Sequence, residues 1–376
     1  MKSSAETRGS SAANPRSESG DLFDPDRHGD EDAELGLRDF AVNVRPGPPS
    51  FLTRALTERI GDLAAYPSAA DTTAATRSAA RLHGRDDSEV LLLGGAAEGF
   101  ELLARLRPRH VALIQPSFTE PERVLRATGA RITQVVLAAP WRLGDAAIPD
   151  DADLVVVGNP TNPTSVLHTR AEIDRLRRPG RTVVIDEAFA DVTLDAVTAA
   201  DEPQSMASVS APDLVVIRSV TKTFALAGLR VGYLLAAPAV IEQLVRGRRH
   251  WPLGTLALTA LAACVSDEGR SYAQQQARQV AADREYLVRR LADIGVEPAV
   301  PPAASYVLIR VPDGLGVKAR LRARGFGIRS CANFVGLGSD HLRIAVRTPD
   351  LTDALVEAMQ DVMTGSSQHQ KESEGR

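Results

Sequence analysis

Seven short runs of β-branched and aliphatic residues punctuate the first two thirds of the chain: VLLL (90–93), HVALIQ (110–115), RITQVVL (131–137), DLVVV (153–157), TVVID (182–186), DLVVIRS (213–219) and RVGYLLA (230–236). They are continuous rather than alternating, the pattern of strands covered on both faces. Helical segments such as AAEGFELLARL and TRAEIDRLRR separate most of them. The alternation predicts an α/β domain over 62–237 with a mostly parallel, seven-stranded sheet. Ahead of the first of these strands, FLTRALTERIGDL and ADTTAATRSAARLHG predict helices, preceded by NVRPGPPS, which Pro and Gly keep extended. From Pro238 the pattern changes to long helices, especially 269–294, then YVLIRV, GFGIRS, HLRIAVRT and a closing helix at 349–363. This predicts a smaller α+β domain over 238–364, joined by an arm at 39–61. Ser, Gly, Asp and Glu dominate residues 1–38 and the end segment 365–376, and both predict disordered tails.

Composition narrows the functional classes. With 44 Lys and Arg against 48 Asp and Glu, the net charge of −4 is too near neutrality for a basic nucleic-acid binder. The imbalance is local: residues 1–34 carry −5, so the body is close to neutral. An apolar share of 44% supports a large buried core. Two cysteines, Cys264 and Cys331, exclude a disulfide scaffold or a four-thiolate metal site and fit a reducing cytoplasm. The seven histidines show no metal-ligand spacing. The longest apolar stretch, LGTLALTALAACV at 253–265, is shorter than the roughly 18 residues a membrane span needs. A cleft between two domains is the natural ligand site.

The richest chemistry lies in SVTKTFALAGLRVGY at 219–233. It sets Lys222 beside the hydroxyls of Ser219 and Thr221 just after an apolar run, with Arg230 eight residues on. Hydroxyls and an arginine suit a phosphate, and a lysine withdrawn from water can attack a carbonyl. This segment resembles the cofactor-lysine motif of pyridoxal-phosphate enzymes of the aspartate-aminotransferase fold. The resemblance implies an aspartate-aminotransferase-like architecture, pyridoxal 5′-phosphate as cofactor, and Lys222 as the residue forming the internal Schiff base. It places Asp186 of VVIDEAF against the pyridine nitrogen, where an anion keeps the ring protonated and electron-withdrawing. Asn162 of GNPTNPTS matches the donor to the cofactor 3′-oxygen. Ala96 and Ala97 of LGGAAEGF match the helix N-terminus that receives the phosphate; the spacing is GGxxxG, not the GxGxxG of dinucleotide sites. Phe118 matches the aromatic that stacks on the ring. Tyr66 matches a tyrosine that reaches the phosphate of the neighbouring subunit, which implies a homodimer with shared active sites. One departure stands out: Phe189 occupies the position where many relatives carry a tyrosine contacting the 3′-oxygen.

Within the family the sequence resembles two branches, histidinol-phosphate aminotransferase and the cobalamin-biosynthesis enzyme that decarboxylates threonine phosphate. DEAF, HWPLGTLALTALAA and IRSCANFVGLGSDHLRIAVRTP lean towards the second. Arg329 and Arg343 match the arginines that bind the substrate anion, here the phosphate or carboxylate of a phosphorylated amino acid or amine. Decarboxylation in the cobalamin branch is therefore the leading expectation, histidinol-phosphate transamination the alternative, and a non-catalytic binding protein of this fold a third. No partner nucleic acid, membrane or metal is expected.

Overall fold

The computed structural model describes Asp32 and residues 36–374, with side chains to 364 except at Asp145. In chain order the elements are β1 (Arg38–Phe40), α1 (Ser50–Glu58), α2 (Ala69–His83), β2 (Val90–Leu93), α3 (Ala96–Leu103), β3 (His110–Gln115), α4 (Glu120–Arg126), β4 (Arg131–Val136), β5 (Leu154–Gly158), α5 (Arg170–Asp174), β6 (Thr182–Asp186), β7 (Leu214–Ser219) and β8 (Gly232–Ala236). They continue with α6 (Pro238–Val245), α7 (Thr255–Cys264), α8 (Asp267–Ala292), β9 (Tyr306–Arg310), α9 (Gly314–Ala323), β10 (Phe326–Ser330), β11 (His341–Ala345) and α10 (Pro349–Glu374).

All seven apolar runs become strands of one sheet, ordered β2-β8-β7-β6-β5-β3-β4. Only β8 runs against its neighbours. Successive residues of each central strand serve opposite layers: Val183 and Ile185 join one apolar cluster, Val184 the other. Two covered faces are why the inner runs do not alternate with polar residues, whereas edge strand β4 is half-exposed and carries Arg131, Thr133 and Gln134. The order of strands reverses beside β3, whose neighbours are β4 and β5. In open α/β sheets such a reversal leaves a crevice at the carboxyl ends, where ligands bind.

A second sheet, β1-β10-β11-β9, carries its own core of Leu287, Ile309, Ile328, Ile344 and Met359. Its helices start later in the chain than the pattern suggests. Val240 and Leu244 of α6, and Ala257, Leu258 and Leu261 of α7, join the apolar clusters that contain the large sheet, beyond the expected boundary at Pro238. Tyr272 of α8 packs on the large core, whereas Leu287 and Leu291 belong to the small one. Amphipathic periodicity identifies a helix but not the sheet it covers. The arm at 39–61 is divided likewise: β1 extends the small sheet, and Leu52 of α1 enters the large core.

The tails also depart from expectation. Arg38 is held by parallel pairing of β1 with β10, and Asp32 is buried; residues 1–31 and 33–35 lie outside the described residues. At the other end the backbone of α10 continues past Gly365 to Glu374. Gln, Lys and Glu, which recur in this stretch of the sequence, are good helix formers.

Candidate active site

Parallel strands deliver their carboxyl ends to one edge, and the residues singled out from sequence are delivered with them. Asp186 ends β6 directly beside Ile217 of β7. Ser219 ends β7, and Lys222 follows in a turn whose Thr221 amide donates to Ser219 Oγ at 3.2 Å. Adjacent residues on a strand point to opposite faces, so the polar neighbours Glu187 and Arg218 turn away. They form a buried ion pair at 2.8 Å behind the site, extended by Glu202 at 2.7 Å and by Ser205, which donates to Glu187 at 2.6 Å. This knot ties the ends of β6 and β7 together and fixes the spacing between Asp186 and Lys222.

Burial pushes the Asp186 carboxyl up to about 6, against a donated bond from the Ala188 amide at 3.1 Å and the attraction of Lys222. A carboxylate held at such a cost accommodates a cationic partner. The Lys222 ammonium stands 5.9 Å from the centre of the Phe189 ring. Phe189 meets Tyr306 edge-on at 5.0 Å, and Tyr306 in turn carries the Arg343 guanidinium at 5.4 Å. An apolar aromatic wall thus joins the lysine of the large sheet to the arginine of the small one. Tyr306 also donates to the Thr161 carbonyl at 3.0 Å, pinning the wall to the Asn162 turn.

A second subsite forms around α3. Gly95, at φ +88°, precedes its first turn, and a Cβ there would lie 3.1 Å from Arg230 Nη2. Glycine therefore lets the guanidinium lie against the helix start, where Ala96 and Ala97 present their amides. Ser219 pairs with Gly232, where a Cβ would lie 2.6 Å from the Arg218 carbonyl and 3.4 Å from the Ala96 nitrogen, so glycine allows β8 to pass close to the start of α3. Among the described residues the hydrogen-bond partner of Arg230 is the Ala227 carbonyl, at 3.3 Å. Ser219, a helix N-terminus and the Arg230 guanidinium lie together in an arrangement that suits an anion such as phosphate, with Thr221 two residues along the chain from Ser219. With Asp186 available to a ring cation, the residues fit pyridoxal phosphate.

Asn162 follows β5 in a turn braced from below. Asn159 accepts from the His168 amide at 2.8 Å, and Thr161 Oγ1 donates to the Gly158 carbonyl at 2.8 Å. Asn162 Oδ1 accepts from Arg343 Nη1 at 2.5 Å, while Arg343 Nη2 donates to the Ala41 carbonyl at 2.5 Å. Arg343 is buried and its Nε lacks a partner among the described residues. Burial lowers its guanidinium to about 10, further depressed by Arg329. Arg329 lies directly across the β10–β11 pair. Its Nη1 donates to Asp32 Oδ2 at 3.1 Å and its Nη2 to Asn333 Oδ1 at 2.9 Å.

One of the expected residues, Tyr66, stands apart from this cluster. Tyr66 is 76% exposed and stacks on Trp251 at 4.3 Å, outside the pocket of its own chain. Phe118 lies at the switch-point loop after β3 and packs against Phe100 at 6.4 Å. Cys331 is buried near both arginines, its thiol pushed up to about 12 by burial, which denies it a nucleophile's charge. Sequence reading missed Tyr306 and Asp32. The first is signalled only as an aromatic in YVLIRV, and the second is hidden within an acidic segment. A separate cavity of about 300 Å³ lies near Arg218, His83 and Tyr233 and shares only Ser219 with the expected residues. Among the described residues no group of three metal-ligating side chains occurs, and no helix is long and apolar enough to cross a membrane.

A lysine at the mouth of a parallel sheet, a strand-end aspartate, a helix start suited to an anion and a buried arginine on a second domain define a cofactor-dependent enzyme of the aspartate-aminotransferase fold. Residues 39–359 match the family Aminotransferase class I and II, to which the chain belongs. Its cofactor is pyridoxal 5′-phosphate. The chain is 49% identical over 333 residues to a histidinol-phosphate aminotransferase of Mycobacterium tuberculosis, covering 88% of this chain and 90% of the relative. It is 30% identical over 345 residues to the threonine-phosphate decarboxylase of Salmonella typhimurium, covering 88% and 92%. In three dimensions it resembles the histidinol-phosphate aminotransferase from Clostridium acetobutylicum, with TM-score 0.78 and 25% identity over 87% of this chain and 99% of that one. These relatives reverse the order expected from sequence motifs, because the higher identity falls on the aminotransferase side.

Proposed function

We propose that the protein transfers the amino group of a phosphorylated amino alcohol, with histidinol phosphate as donor and 2-oxoglutarate as acceptor. The observation that carries this reading is the buried Arg343, bonded to Asn162, with its Nε unpartnered, and facing Arg329 across two strands. Such a pair suits a phosphate in one half-reaction and a carboxylate in the other. The relative at 49% identity supports the same choice.

In this reading Ser219, Thr221, Arg230 and the amides of Ala96 and Ala97 hold the cofactor phosphate, and Phe118 lies against its ring. When bound, pyridoxal phosphate supplies an electron sink through its protonated ring nitrogen. The Asp186 carboxylate keeps that nitrogen charged. Asn162 commits its Oδ1 to Arg343, which leaves Nδ2 to donate to the 3′-oxygen. Lys222 Nζ would take the proton from the substrate Cα and deliver it to the cofactor carbon that ends up bearing the amino nitrogen. The phenyl of Phe189 excludes water beside Nζ without offering a hydroxyl.

We further propose a cytoplasmic homodimer in which Tyr66 reaches the phosphate site of the second copy. Its exposed stack with Trp251, beside exposed Ile60 and Leu63, supports a covering partner.

Threonine-phosphate decarboxylation is a second reading, favoured by Phe189 in place of a hydroxyl-bearing side chain and by the relative at 30% identity. Incubating the holoenzyme separately with histidinol phosphate plus 2-oxoglutarate and with threonine phosphate decides between them. Glutamate formation in the first mixture is expected; carbon dioxide from the second, with no glutamate from the first, overturns the proposal.

A further inference from the structure

Asp32 is 1% exposed, although the segment around it is the most acidic in the chain. Its Oδ1 accepts from Lys318 Nζ of α9 at 2.6 Å and its Oδ2 from Arg329 Nη1 of β10 at 3.1 Å. Burial alone would raise this carboxyl; Lys318 and Arg329 outweigh that and hold it below its ordinary value. The carboxylate is therefore a fixed anion between two cations. From the other side Asn333 Oδ1 takes Arg329 Nη2 at 2.9 Å, and the guanidinium lies 5.5 Å from the Phe334 ring centre. Both terminal nitrogens are thus clamped by acceptors. Opposite stands Arg343, and two like charges directly across a strand pair repel. Asp32 eases that repulsion: it acts on Arg343 in the direction opposite to Arg329.

We propose that Asp32 is a positioning residue for the substrate phosphate, holding Arg329 in place across from Arg343 so that this one carboxylate completes the anion seat. The inference rests on the reading of that arginine pair as the seat. A planar fork held in its working orientation loses less freedom when a dianion binds. The clamp acts on phosphate affinity and not on the reacting bond, so its loss appears in binding rather than in turnover.

The test uses the full-length holoenzyme and four variants: Asp32→Asn, Asp32→Glu, Lys318→Met and Arg329→Gln. Two readouts are taken: binding of inorganic phosphate by calorimetry, and KM and kcat for histidinol phosphate beside unphosphorylated histidinol. Asp32→Asn is expected to weaken phosphate binding and raise KM for the phosphorylated substrate at least about tenfold, the scale of one charge-assisted bond. Its kcat stays within about twofold, and KM for histidinol does not change. Lys318→Met shifts both readouts the same way by less, and Asp32→Glu recovers part of the loss. Unchanged phosphate binding in Asp32→Asn overturns the proposal. So does tighter binding, which would make Asp32 a competitor for the seat, or an equal rise in KM for both substrates. Should Asp32→Asn fail to fold, Lys318→Met decides, and unchanged binding there overturns it. If Arg329→Gln leaves phosphate binding intact, the reading of the seat itself fails; if only that variant weakens it, the role of Asp32 alone fails.

Discussion

Lys222, Asp186 and Asn162 leave the carboxyl ends of β7, β6 and β5, three adjacent strands, whereas Arg343 and Arg329 lie within a different sheet and reach their partners across 181 and 297 residues of chain. The first half of the site is a product of topology: a parallel sheet must bring its strand ends together, so chemistry placed there converges without further instruction. The second half depends on two domains meeting, and on Asp32 lying against Arg329 of β10. Cofactor-side residues should therefore govern turnover, and small-domain residues should govern affinity.

The largest effect expected from this contrast is that of Lys222→Ala. Turnover should fall by roughly a thousandfold or more, the contribution of a positioned acid–base group, with KM little changed. A comparable loss from an arginine variant would break the distinction. Next is Arg343→Lys, which retains charge but loses the planar fork. Here kcat/KM should fall roughly 10- to 100-fold, mostly through KM, as steady-state kinetics would reveal.

Asp186 sharpens the comparison through pH. Its folded value, about 6, lies above the ordinary carboxylate value of about 4. The native cofactor-free protein therefore holds a proton that the unfolded chain has released between these two values, and this contribution to stability declines as pH rises through the window. Asp186→Asn removes the decline. Melting temperatures of the cofactor-free variant, measured relative to the parent, should rise between pH 4 and 6 and level off above; a flat difference would mean that the site does not strain this carboxylate. The smallest effect belongs to Tyr66→Ala. An exposed stack on Trp251 contributes less than about 1 kcal/mol, so melting of dilute protein should barely change. A larger loss that grows with protein concentration would point to the covering second copy.

The same contrast explains what could be seen in the sequence. The strands of the large sheet other than β4 were legible because burial on both faces writes them as unbroken apolar runs, and Lys222, Asp186 and Asn162 were singled out by the motifs that resemble the family's and lie at the ends of such runs. The extent of the small domain was not legible, since the apolar faces of α6 and α7 are compatible with either sheet. Asp32 was invisible for a related reason. In a stretch with nine acidic side chains, composition argues for solvation, and only the distant Lys318 and Arg329 distinguish one carboxylate from its neighbours. Tyr306 gave no sign beyond its aromatic ring, because the wall it builds exists only once β9 faces Phe189.

Helix α8 has a mechanical consequence. Its 26 residues form a rod roughly 40 Å long, with Tyr272 rooted in one core and Leu287 and Leu291 in the other. Any rocking of one lobe against the other must swing this shared axle or bend it near the middle, around Val280, which packs against Phe189 and Tyr306. The pivot therefore lies beneath the aromatic wall, so a change in lobe angle would register directly in the gap between lysine and arginine.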